Sequence, residues 1–386
     1  MSTNWAGNVT YRAARLHEPR TLDELRAVVA AAPSIRALGS RHTFNAIADA
    51  DEQVSVRGLP ADVVLDEDAV TFNAGLTYGE LAQQLDGRAL HNLGSLPHIT
   101  VAGAIATATH GSGTGNLATA VRALELVTST GELVTARRGD PDFDGMVVHL
   151  GRLGVLTRLT LDTEPFYEVG QRVFEGLSWD ALLEHFDAIL SATYSVSVFT
   201  RWDAVDMVWL KARGTPPETL YDARPATVDR HPIIELDPVN CTAQLGRPGP
   251  WWDRLPHFRM GFTPSHGAEI QAEYVLPREH AVHAIQALRA LTVPHLLVSE
   301  IRTISADALW MSTAYERDSV AFHFTFERVP IEGVLRDVEA ALAPFEPRPH
   351  PGKAHLQPGT YPRADDFARL AERLDPRGAF RVTEPR

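Results

Sequence analysis

Three observations predict an α+β protein made of two unlike parts. Residues 1–165 alternate short helices with short strands, residues 166–345 carry long alternating strands, and glycine- and proline-rich loops punctuate both. In order, Thr21 to Ala32 reads as a helix, with Thr21 and Glu24 spaced as a capping box and Leu22, Leu25, Val28 and Val29 on one face. A strand over 34–38 follows and ends on a glycine turn. Val63 to Leu65 and Val70 to Ala74 are short strands about an acidic turn. Thr77 and Glu80 form a second capping box, opening a helix to about Leu85. A hairpin follows at 121–128 and 132–136, then a short helix at 142–150 and a strand at 155–161. The character changes near 162–165, where a boundary is placed. Beyond it, 194–200, 207–210, 270–276, 296–304 and 320–327 are expected strands. Residues 213–247 are a proline-rich loop, and 278–291, 331–342 and 367–374 are helices. A last segment, 346–386, follows the second part.

The bulk composition narrows the function classes. The 386 residues, 44% hydrophobic and 22% charged, are those of an ordinary globular protein of about two or three domains. A net charge of −13 argues against nucleic acid or acidic membranes as partners. No apolar run reaches the ~18 residues that read as a membrane span. The first residues, MSTNWAGNVTYRAARL, lack the basic-then-apolar layout of a secretory leader. Cys241 is the single cysteine, which excludes an intrachain disulfide and suits a reducing cytosol, so a cytoplasmic location is expected. Nothing beside it activates it as a nucleophile.

Two stretches point to a ligand. RALGSRHTFN (36–45) runs a strand into Gly39-Ser40, where glycine permits a sharp bend or a close ligand. His42 lies just past that turn, placed to meet the ligand; a purely structural loop histidine is the plainer alternative. Gly94 to Asn116 is dominated by Gly, Ala, Ser and Thr and contains no Lys, Arg, Asp or Glu. N–H groups around Gly111, Ser112, Gly113 and Gly115 suit a pyrophosphate cradle, although no G-x-G-x-x-G follows a strand. A tightly packed helix and turn is the alternative.

Strand periodicity gathers further polar groups. Residues two apart on a strand share a face, so Glu300 stands beside Arg302 among Leu296, Val298 and Ile304. A carboxylate that accepts and a guanidinium that donates suit vicinal hydroxyls; a structural ion pair gives the same spacing. Glu269, Gln271 and Glu273 alternate with apolar or small neighbours, as do His323, Thr325 and Glu327. Polar groups converging from three strands suit a polyhydroxylated ligand and would reject analogues lacking a hydroxyl, whereas an ordinary wet sheet face shows the same pattern. Arg348-Pro-His-Pro-Gly-Lys353 is a rigid turn that offers Lys353 to an anionic oxygen, or leaves it simply exposed. His350 and His355 lack a partner set for a metal, and no HExxH, Cys/His cluster, GxSxG elbow or Walker loop is present.

Taken together, these stretches resemble the vanillyl-alcohol oxidase family of flavoproteins, in its alditol (xylitol) oxidase branch. The resemblance is carried in order by NWAGN (4–8), GSRHTFN (39–45), SLPHITVAGAIATATHGSG (95–113), VNCTAQLGRPGPW (239–251), EIRT (300–303), HFTF (323–326) and HPGK (350–353). It implies a two-subdomain FAD-binding domain over 1–165 and an antiparallel-sheet cap over 166–345. Residues 346–386 return to complete the site. His42 becomes the candidate for covalent attachment of FAD. Further cofactor contacts are implied at Gly39, Ser40, Arg41, Thr43, Gly94, Ser95, His98, Gly103, Thr107, His110, Gly111, Gly113 and Val155. Ser95, Gln271, Glu300, Arg302, Thr325 and Lys353 would line the polyol site. The implied reaction is hydride transfer from the terminal carbinol carbon to flavin N5. Arg302 and Lys353 would steady the C1 oxygen and Glu300 the neighbouring hydroxyl. O2 then takes the electrons as hydrogen peroxide, and Gly94 leaves it room. The chain departs from the usual motif at Arg41, where many members have Gly, and at Thr43 for Ser. An aldonolactone oxidase or dehydrogenase of the same superfamily is the nearest alternative, and a non-catalytic flavin- or sugar-binding protein the next. A monomer with a polyol and O2 as its small-molecule partners is expected.

Overall fold

The computed structural model describes residues 2–261 and 268–381. Near the N-terminus, Arg15–His17, Glu52–Val54 and Ile35–Ala37 form a parallel three-stranded sheet with Glu52–Val54 in the middle. Parallel strands need a crossover, and the helix Leu22–Ala31 supplies the first one. Its Leu25 and Val29 are buried with Ile35 and Val54. Thr21 caps it by accepting from the Glu24 N–H at 3.2 Å. The Glu24 carboxylate turns instead to the Arg20 N–H at 2.8 Å, so the expected box is only half formed. The box at Thr77 and Glu80 is complete, but its helix, Tyr78–Ala82, stops earlier than expected. The chain turns at Gly87 in the left-handed region.

A second, antiparallel sheet runs Val63–Leu65, Ala69–Asn73, Val155–Asp162, Val121–Val127, Leu133–Arg137. The last two are the expected hairpin, turned at Gly131 with φ +79°. The third sheet has nine strands and is antiparallel throughout. Its core order is Glu168–Glu175, Val205–Arg213, Ser195–Thr200, Leu296–Ile304, Ser319–Glu327, Glu269–Pro277. Glu168–Glu175 was not expected from sequence. Gly170 breaks its alternation, and much of the strand is buried on both faces, so no polar period marks it.

The two faces of this large sheet differ in kind. Ala272, Tyr274, Ile301, Phe322, Phe324 and Phe326 point to one side, where the helices Ala281–Arg289 and Glu332–Leu342 cover them. Gln271, Glu273, Glu300, Arg302, His323 and Thr325 occupy the alternate positions, and all line a cavity. The period of two thus sorts an aromatic layer from a polar one. Phe367, Leu370 and Ala371 of the last helix, Ala364–Leu374, join the core of the five-stranded sheet, and Phe380 joins that of the three-stranded one. Among the described residues, no helix is long and apolar enough to cross a membrane.

Arg36 knots the N-terminal half together. It is buried, and its guanidinium donates to the carbonyls of Ile47, Leu150, Gly151 and Phe380. An apolar replacement leaves those four carbonyls without their shared donor. Arg36→Met is expected to lose ~3 kcal/mol or more of stability, read as a lower urea midpoint; an unchanged midpoint would refute this role.

Candidate active site

A cavity of about 770 Å³ lies between the polar face of the large sheet and the Gly39–Phe44 and Gly94–His110 segments. On the N-terminal side, the NWAGN motif clasps the His42 turn. Asn4 Nδ2 donates to the Thr43 carbonyl at 2.8 Å, and Asn8 Nδ2 to that of Phe44 at 3.0 Å. The Trp5 N–H donates to the Arg41 carbonyl at 2.9 Å, and its indole stacks on His42 with centroids 5.1 Å apart. Arg41 sits at φ +64°, in the left-handed region. A side chain costs ~1 kcal/mol or more relative to glycine in that conformation. His42 lines the cavity, and its Nδ1 is buried without a hydrogen-bond partner among the described residues. Burial, and then nearby His98, push its pKa down to about 4, so the ring is neutral. Gly39 allows close packing: a Cβ there would fall 2.3 Å from Thr100 Oγ1.

The cap side holds two buried carboxylates in one row. Across the sheet, Glu273 is paired in register with His323, and His323 with Glu300. Arg302 Nε donates to Glu300 Oε1, and Arg302 Nη2 donates to Ser95 Oγ at 2.6 Å. His257 Nε2 lies 2.8 Å from Glu300 Oε1 and 2.7 Å from Arg302 Nη2. A neutral ring satisfies one of these contacts in either tautomer, and burial keeps it neutral by pushing its pKa down to about 3. Burial raises the Glu300 pKa, but the charge of Arg302 and the bonds from His257 and Arg302 outweigh it and hold the carboxyl well below its usual range. Glu273 takes Lys353 Nζ on Oε2 and His110 Nε2 on Oε1, each at 2.9 Å. Lys353 is steered by its turn: Asn45 Nδ2 donates to the carbonyls of Pro351 and Lys353 at 2.8 and 2.9 Å. The loop bearing Lys353 is thereby tied to the segment bearing His42.

Most of the residues singled out in sequence meet in this one cavity. Gly39, Ser40, Arg41, His42, Thr43, Gly94, Ser95, Gly103, Thr107, His110, Gln271, Glu300, Arg302, Thr325 and Lys353 all line it. His98, Gly111, Gly113 and Val155 do not. His98 Nε2 is 2.8 Å from the Met260 carbonyl oxygen, and Val155 is wholly buried in the core beneath the first helix. Of the pyrophosphate cradle expected around Gly111, Ser112, Gly113 and Gly115, two members are engaged across the boundary between the halves. Gly113 N–H donates to the Thr303 carbonyl at 2.9 Å, and Ser112 Oγ donates to that of Val196 at 2.6 Å. A Cβ on Gly111 would strike Asn92 and one on Gly113 the Tyr194 carbonyl, so close packing requires both glycines, Gly113 at the seam between the two halves.

Sequence reasoning passed over His149 and His257, which also line the cavity, and left Glu273 and His323 as mere stripe members. The alternating pattern marked the latter pair. Nothing local marked His257, which is delivered by a turn pinned from afar. Buried Lys211 Nζ donates to the carbonyls of Arg254, Leu255 and Pro256 at 2.8, 2.7 and 2.9 Å. Burial pushes the Cys241 thiol up to about 12, which removes it as a nucleophile.

Residues 13–137 match the FAD binding domain family, and residues 267–383 match the D-arabinono-1,4-lactone oxidase family. The chain is 46% identical to an alditol oxidase from a Streptomyces species, over 99% of this chain and 97% of that one. It is 29% identical to an L-gulono-1,4-lactone dehydrogenase of Mycobacterium tuberculosis, over 98% and 96%. Its fold is that of a cholesterol oxidase from B. sterolicum, with a TM-score of 0.77, 14% identity, and coverage of 98% and 95%. The FAD binding domain match and the 46% identity to an alditol oxidase make the chain an FAD-dependent oxidoreductase. The chain belongs to the vanillyl-alcohol oxidase family of flavoproteins, alongside the Streptomyces alditol oxidase. The cavity suits the cofactor: a neutral histidine nitrogen is left unpartnered at its wall, and a Cβ on Gly94 would find no atom nearer than 3.6 Å.

Proposed function

We propose that this chain oxidises the terminal primary hydroxyl of an alditol, such as xylitol or sorbitol, to the aldose, with O2 reduced to hydrogen peroxide. The observation that carries the reading is the convergence of Ser95, Gln271, Glu300, Arg302, Thr325 and Lys353 on the cavity that His42 also lines. Bound FAD supplies a two-electron acceptor that O2 can reoxidise. The chain supplies placement and charge. Arg302 and Lys353 hold the oxygen of the reacting hydroxyl and oppose the negative charge that grows there as its proton leaves. Glu300 accepts from the neighbouring hydroxyl and fixes the carbon that gives up hydride. Gln271 and Thr325, in register on adjoining strands, suit hydroxyls farther along the chain. His42 Nδ1, neutral and unpartnered, is the nitrogen that would bond to the flavin.

In this reading residues 1–165 bind FAD, 166–345 cap it, and 346–386 return with Lys353. A cytoplasmic monomer agrees with the acidic surface and the lone, buried cysteine. A second reading, an aldonolactone oxidase, draws on the family match over 267–383. Peroxide release decides between them. The yellow protein is expected to release peroxide with xylitol and not with gulono-1,4-lactone. Peroxide from the lactone alone would transfer the assignment to that branch, and silence with both would remove the oxidase reading.

A further inference from the structure

Glu273 is a second buried carboxylate in the same sheet row as Glu300, and both its oxygens are taken by side chains from distant parts of the chain. His110 comes from the glycine-rich stretch and Lys353 from the C-terminal turn. The other nitrogen of His110, Nδ1, lies 2.8 Å from the Gly111 carbonyl oxygen. A carbonyl and an ionised carboxylate can only accept. Both ring nitrogens of His110 must therefore carry hydrogen, which the imidazolium satisfies and neither neutral tautomer does. Glu273 is ionised: burial raises its pKa, but Lys353 and His110 outweigh burial and hold it well below the usual carboxylate range. Other groups that face it are His323 from the adjoining strand, Glu300 and Arg302 beyond that strand, and His350 from the turn.

We propose that Glu273 and His110 are a positioning pair for Lys353, in which one buried carboxylate shared by an imidazolium and an ammonium aims the ammonium into the substrate cavity. Alone, Glu273 would cancel the charge of Lys353. With His110 charged, the three keep one net positive charge, while Glu300 and Arg302 cancel. The excess faces the oxygen whose proton leaves during oxidation. Lysine is a flexible chain with three donors; the carboxylate takes one and fixes its direction. The inference rests on the polyol-oxidase reading only for the identity of the substrate.

The test has two arms, both on the full-length flavoprotein. NMR of protein labelled at histidine, with His110→Gln to assign the signal, is expected to show both ring nitrogens of His110 protonated at the pH of the activity assay. A neutral ring there would overturn the proposal, and this arm uses the unaltered protein, so it stands even if a variant misfolds. In anaerobic stopped-flow with xylitol, Glu273→Gln is expected to reduce flavin ~30-fold more slowly, with substrate affinity changed less than about threefold. Glu273→Gln/Lys353→Met should then be no slower than Lys353→Met alone, as partners in one network are not additive. Additive losses, or an unaltered rate in Glu273→Gln, would overturn it. If xylitol is not oxidised at all, the polyol reading fails while the NMR arm still decides the charge on His110.

Discussion

Arg302→Met is expected to abolish polyol oxidation and destabilise the protein in the same step. The guanidinium pairs with Glu300 and donates to Ser95, and both side chains of the pair are more than nine-tenths buried. Removing the cation leaves a carboxylate uncompensated in the interior, at a cost of ~3–5 kcal/mol. In the proposed role of Arg302, the same change also removes a donor to the reacting oxygen, for an expected further loss of ~100-fold or more in rate. The double variant Glu300→Gln/Arg302→Met separates the effects. It should regain most of the lost melting temperature, because no lone charge remains, and regain none of the activity. Activity returning along with stability would mean that the pair is structural only.

The second large effect concerns colour. His42→Ala should yield a protein whose flavin separates completely on acid precipitation, leaving a white pellet, while the unaltered protein keeps a yellow one. The basis is the imidazole itself: Nδ1 is neutral, buried and unpartnered at the cavity wall. Alanine also removes the partner of the Trp5 indole, so Trp5→Phe serves as the control and should keep the yellow pellet. A yellow pellet from His42→Ala would place the attachment elsewhere.

How much of this was legible in the sequence depended on the range of the interaction. The Glu300–Arg302 neighbourhood follows from the period of two, although a bulge between Leu296 and Val298 breaks that period upstream and packs Leu296 with the aromatic layer instead of on the face shared with Val298. The His42 turn was legible because a strand ending in Gly39-Ser40 leaves few conformations. The partnership of His110 with Glu273 was not, because 163 residues separate them and only the folded sheet brings them together. His257 was hidden for a related reason: its place depends on Lys211, forty-six positions earlier, holding three carbonyls of the preceding turn. The glycines at 111 and 113 were ambiguous because small side chains serve close packing and ligand approach equally well. Which of the two applies is decided by whichever backbone lies opposite.

That seam governs how material can pass through the cavity. Gly113 and Ser112 bond to Thr303 and Val196, and Ser305 Oγ donates back to the Gly113 carbonyl at 2.7 Å. Swinging the sheet-rich half away from the other would break these bonds, at up to ~1–3 kcal/mol for each group left buried without a partner. If these bonds persist while the protein works, small molecules would reach the cavity past side chains at its rim and not by parting of the halves, and the width of that entry would then select by size before any group inside is met.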